Sequence, residues 1–168
     1  QNRALGANGN AEIWVFNPVS AQLERIGEAL KGTNHFIVVH DWTELSNNLS
    51  PGYSEAAAQA LLGAIVHLQT NQNIDEFTNV HLIGHSRGTV VNSELAERML
   101  RAGMPVSHVT TLDPHDWGAS ELFYADYDVN PGRSNDGIVN WKGIEWADNY
   151  WQNGSLGITG RNIVSTSS

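Results

Sequence analysis

The chain contains no cysteine. That excludes a disulfide framework, a zinc–thiolate centre and a cysteine nucleophile. Lysine is nearly absent: only Lys31 and Lys142 occur, and the remaining basic residues are arginines. The formal net charge is −9 and charged residues make up 16% of the chain. With no basic cluster on an acidic chain, nucleic acid and anionic membrane surfaces are poor partners. No apolar run approaches the roughly 20 residues that a membrane-spanning helix requires. No signal peptide is visible, and the first residue is Gln1, not Met. We therefore expect either a trimmed chain or an excised piece, from a secreted or otherwise extracytoplasmic protein.

What is present is globular. Of 168 residues, 40% are hydrophobic, enough for one domain with a substantial core and too many for a disordered chain. Residues 1–10 are rich in Gly and Asn and read as a loop. Asn17-Pro18-Val19-Ser20 reads as a helix start, with Leu23, Ile26 and Leu30 at helical spacing and Gly32 as the stop. Phe36–Val39 is a short β-branched run of the kind found in a strand buried on both faces. A turn-rich loop spans 44–53. A helix is predicted from Ser54 to Gln69, with Ser54 as its cap and Leu61, Ile65 and Leu68 as its stripe. Val80–Ile83 is a second strand, Thr89–Ala102 a helix ended by Gly103, and Val106–Leu112 a third strand. The alternation predicts an α/β fold: a mostly parallel sheet with helices on both faces, its three strands side by side and the connections right-handed. Residues 1–168 form one domain, and beyond residue 118 only short strand-like pieces are expected.

The chemistry concentrates between two of these elements. Gly84-His85-Ser86-Arg87-Gly88 lies directly between the second strand and the helix that follows. Such a turn forces its central residue into a strained backbone and pushes Ser86 out over the carboxyl edge of the sheet. The glycines allow strand and helix to approach closely. The Arg87 N–H, in the first turn of the helix, is placed to donate to an oxyanion. Asp113 ends the next strand and is stopped there by Pro114. A nucleophilic serine requires a base oriented by a carboxylate, and Asp113 is in position to orient one. Asp116 is the alternative acid, lying beyond the strand end. The duller readings are a chance glycine turn at Ser86 and a simple pre-proline turn at Asp113.

His40-Asp41-Trp42 after a strand, Gly52-Tyr53 opening an alanine-rich helix, Val80–Ser86 and Leu112-Asp113-Pro114 together resemble the lipase and esterase group of the α/β-hydrolase superfamily, which includes pancreatic-type lipases. The resemblance covers residues 35–118. Residues 141–152, with Trp146–Tyr150 among them, resemble, less closely, a segment of related secreted bacterial esterase-like proteins. The family implies a serine esterase or lipase acting on an ester or lipid-like small molecule through an acyl-enzyme, without a cofactor. Ser86 would be the nucleophile, Asp113 the acid and the Arg87 N–H one oxyanion donor. Where the family often has a small or apolar residue after the nucleophile, Arg87 would place a long cation beside the site and alter which acyl group fits.

Two parts of that machinery are not evident. In this family the histidine follows the acid well downstream, whereas His115 is the last histidine here, so it enters only as a possible substitute base. The strand carrying the second oxyanion donor is expected upstream of Gln1. The core is thus read as truncated at both ends. His40, His81 and His108 read as strand residues that are packed or hydrogen-bonded, His35 and His67 as surface positions, and His85 as directed away from the acyl pocket. Asp126 and Asp128, with Asn130, have the alternation of a calcium loop, but Pro131 stands where such a loop has glycine, so a solvated acidic loop is the competing reading. Two alternative functions stay open: a non-catalytic hydrolase-like binding domain, and another acyl hydrolase (an amidase or thioesterase) on the same elbow.

Overall fold

The computed structural model describes residues 11–17, 20–28, 35–46, 52–71, 76–114, 138–152 and 163. The elements run β1 (Ala11–Asn17), β2 (Gln22–Ile26), β3 (His35–His40), α1 (Thr43–Ser46), α2 (Tyr53–Asn71), β4 (His81–His85), α3 (Gly88–Arg101), β5 (Val106–Leu112) and β6 (Ile144–Tyr150). They make an α/β fold. One sheet has the order β2-β1-β3 and the other β4-β5-β6, and in the second every pairing is parallel.

The helices form where alanine and leucine concentrate. In α2 the buried side holds Ala57, Ala58, Leu61, Ala64, Ile65 and Leu68, and α3 buries Val91, Leu95, Ala96 and Met99 against it. Leu82 of β4, with Val106 and Val109 of β5, completes this core from the sheet side. Ser54 does not stand outside α2 as a cap; it lies within the first turn, buried. At the far end of α3, Gly103 takes φ +76° and its N–H closes on the Leu100 carbonyl, so glycine terminates the helix as expected.

Three expectations are corrected. The segment after Asn17 does not form a helix over its described residues. It turns back, with the Ser20 N–H donating to Asn17 Oδ1 at 3.3 Å, and β2 pairs antiparallel with β1. The spacing of Leu23 and Ile26 suits a helix, yet cross-strand partners outweigh so weak a local preference. Arg25 lies 5.6 Å from the Trp14 ring centre and 3.9 Å from the Glu12 carboxylate. Secondly, β3 is not beside β4: β4 and β5 are adjacent and parallel, but β3 belongs to the other sheet. Thirdly, a seven-residue strand, β6, stands at 144–150, in a region where only short strand-like pieces are expected. Asp148 and Asn149 are poor strand formers, and the element is sustained by its parallel register with β5, from Val106↔Ile144 to Leu112↔Tyr150.

Separating β3 from β4 leaves a slot of about 860 Å³ lined by both strands and floored by apolar side chains of α2 and α3, among them Leu61, Ile65, Val91 and Leu95. Among the described residues, the helix layer over the second sheet is α3, on β4 and β5, backed by α2. The reverse face carries exposed Ile83, Trp146 and Tyr150.

Candidate active site

The turn between β4 and α3 is shaped by contact at Gly84. A Cβ there would sit 2.6 Å from the Gly88 carbonyl oxygen and 2.8 Å from Asn92 Nδ2. Only glycine lets the strand run this close to the helix. A Cβ on Gly88, by contrast, would meet nothing within 4 Å. The close approach therefore depends on one glycine of the motif.

Ser86 follows with φ +52°, a left-handed conformation that non-glycine residues rarely hold. Its N–H donates to the Leu112 carbonyl at 2.9 Å, and the Thr89 N–H donates back to the Ser86 carbonyl at 3.0 Å. The elbow is thus tied to the end of β5 on one side and to α3 on the other. Arg87 stands at the helix N-cap with φ −60° and ψ −24°.

Asp113 comes one residue after Leu112, so Ser86 and Asp113 emerge at the same carboxyl edge, on neighbouring strands. Asp113 also has positive φ, +47°, and its N–H donates to the Tyr150 carbonyl at 2.6 Å. Its carboxylate accepts two hydrogen bonds from Gln152: backbone N–H to Oδ1 at 3.3 Å and Nε2 to Oδ2 at 2.9 Å. Sequence reasoning missed Gln152. No motif marks it, and only the pairing of β6 with β5 brings it to the acid.

Arg87 does not extend as a free cation beside the nucleophile. Its residue surface is 7% exposed. The guanidinium lies 5.4 Å from the Trp42 ring centre and donates to the Ser46 carbonyl. It fastens the elbow to α1, and so the side chain is not the long free cation beside the site that the resemblance suggested.

The histidines divide as their surroundings dictate. His40 sits between Phe16, 5.3 Å away, and Trp42, 6.1 Å away. Burial pushes its pKa down to about 4, against a smaller opposing pull from the Asp41 charge. The Thr43 hydroxyl, 2.8 Å away, and the Thr43 N–H hold the Asp41 carboxyl below the usual carboxylate range. His81 and His108 stack with ring centres 3.9 Å apart, and His108 Nε2 is 2.8 Å from Asp148 Oδ2. Burial lowers the His81 pKa, and the neighbouring His108 lowers it further. Asp148 is shifted down, chiefly by the His108 hydrogen bond. His35, His67 and His85 are exposed. His115, Asp116, Asp126 and Asp128 lie outside the described residues. Among the described residues, no group of three His, Asp or Glu side chains could hold a metal ion.

No protein-family model matches the chain, and no curated protein matches it. One solved structure is similar: "The crystal structure of the putative cell surface hydrolase from Lactobacillus plantarum WCFS1". It is 16% identical, with a TM-score of 0.45 over 62% of this chain. The match spans 40% of that protein's length.

Proposed function

We propose that this chain carries the nucleophile and the acid of a serine hydrolase acting on carboxylic esters through an acyl-enzyme. The observation that carries this reading is the strained Ser86 at the β4–α3 turn, with Asp113 one strand away at the same edge. A strained serine at a helix N-terminus is disposed for attack on a carbonyl, and the Arg87 N–H would receive the developing oxyanion. Asp113 would hold an imidazole in the tautomer that takes the Ser86 proton. Ester or lipid-like small molecules are the proposed substrates, and an extracytoplasmic location is proposed with them. No helix among the described residues is long and apolar enough to cross a membrane.

In this proposal the base and the second oxyanion donor come from chain other than the described residues. The slot supports the second part. It is bounded by two end strands, β3 and β4, and an extended segment laid there could pair with both. Run parallel to β4, such a segment would end at the edge where Ser86 stands.

If the natural protein continues beyond these 168 residues, a fluorophosphonate probe on that extended polypeptide tests the reading. Ser86 should label and p-nitrophenyl esters should be hydrolysed, and Ser86→Ala should abolish both. If the base and the second donor lie outside these 168 residues, as proposed, the chain alone should hydrolyse such esters at background, because loss of one oxyanion donor costs roughly 10²–10³-fold on top of loss of the base. Brisk hydrolysis by the short chain would instead assign the base to His115, and His115→Ala would check that. An extended, folded but inert protein would move the reading to a binding domain.

A further inference from the structure

The geometry points to Gln152 as a positioning residue that holds and aims the Asp113 carboxylate. The inference rests on the reading of Asp113 as the acid of a hydrolase. β6 ends at Tyr150, whose carbonyl accepts the Asp113 N–H at 2.6 Å. Two residues on, Gln152 turns both of its amides onto the Asp113 side chain, one to each oxygen. The end of β6 therefore holds Asp113 by its backbone and by both carboxylate oxygens. With φ at +47°, Asp113 occupies a conformation that requires such external support.

The chemistry of the donor matters. An ionised carboxylate offers about four lone-pair sites. Gln152 engages one on each oxygen. Its two donors are neutral. They favour the charged form of Asp113 by hydrogen bonding, without adding a positive charge that would oppose a nearby imidazolium. A lysine or arginine at 152 would orient the carboxylate equally well while cancelling the charge that the histidine uses. Gln152 is exposed, so water competes for each bond. Two donors on one residue give a chelating pair that a single water does not reproduce.

The test is a carboxyl-carbon NMR titration of Asp113 in the intact protein, in Gln152→Ala and in Gln152→Glu, with fluorophosphonate labelling of Ser86 measured in parallel. Gln152→Glu keeps the shape of the side chain and replaces an amide donor with a second carboxylate, so it carries the test even if the alanine variant folds poorly. The Asp113 midpoint should rise in both variants, by roughly one pH unit or more in Gln152→Glu. Ser86 labelling should slow by about 10- to 100-fold. Unmoved midpoints overturn the proposal, whether or not Ser86 labels. Labelling that proceeds at the parent rate in both variants overturns the positioning role. Raised midpoints in a protein whose Ser86 never labels uphold the clamp on Asp113 and remove the hydrolase reading.

Discussion

Gly84 and Gly88 look equivalent in the motif and are not equivalent in space. A methyl on Gly84 would collide with backbone, which cannot yield as a flexible side chain can. Gly84→Ala should therefore cost about 1–3 kcal/mol. Gly88 opens onto free space in a helical turn, where alanine is the better helix former, so Gly88→Ala should lie within about 1 kcal/mol of the parent, on the stable side. Urea unfolding midpoints of the two variants check the contrast. His40 makes a second prediction at this scale. Its folded pKa is about 4, below the ordinary 6.5. The unfolded chain thus binds the extra proton first as pH falls, and stability is full above about 6.5 and is lost between there and about 4. The full shift would correspond to roughly 3 kcal/mol. The ring is only partly buried, and solvent screening reduces this to about 1–2 kcal/mol. His40→Leu should flatten the stability profile over that pH range, as read by urea titrations at pH 7, 5.5 and 4.5.

Among the elements, β6 illustrates a strand held by its neighbour. Trp146, Asp148 and Tyr150 lie on one face, in register with His108, Thr110 and Leu112 of β5. Next to them His81 pairs with His108 in register and stacks on it, and His81 Nε2 is 2.8 Å from Thr110 Oγ1. This row of side chains links three strands through their polar groups. Charge on His108 opposes charge on His81. His108→Gln should therefore raise the His81 titration midpoint in a ring-proton NMR titration, and an unchanged midpoint would mean that the stacked rings do not communicate. α3 is anchored similarly from its buried side: Ser93 Oγ accepts the Val139 N–H at 3.1 Å, and Trp141 Nε1 donates to the Ser93 carbonyl at 2.9 Å. A serine in mid-helix, ordinarily a weak choice, serves here to fix the segment leading into β6.

At the scale of the molecule, the slot governs behaviour in water. It lies between the edges of β3 and β4, whose Val39 and Ile83 are 46% and 63% exposed. Open edges and apolar surface of this kind recruit other chains. The 168-residue chain should bind an apolar reporter dye and self-associate with rising concentration. Val39→Lys should reduce both, measured by dye fluorescence and light scattering, since charge on an edge strand blocks pairing.

The sequence by itself determined the local chemistry. The β4–α3 elbow, Ser86 at its tip, Asp113 at the end of the next strand, and the cores of α2 and α3 were all legible. Each rests on contacts between near neighbours: a glycine-bracketed turn, a helical stripe, a proline stop. Tertiary structure decided the rest. Leu23 and Ile26 fit a helical spacing, yet β1 offers the segment a partner, and pairing prevails over propensity. β3 reads as a buried central strand but ends one sheet, because the register of a strand says nothing about which edge it joins. β6 has little strand character of its own and exists through β5. Gln152 reaches Asp113, 39 positions earlier in the chain, only once those two strands lie side by side. Arg87 reads as a cation beside the nucleophile and becomes a buried strut because Trp42 and the Ser46 carbonyl are brought to it. Contacts so distant along the chain depend on which surfaces remain to be covered once the local elements have formed, and local periodicity does not encode that.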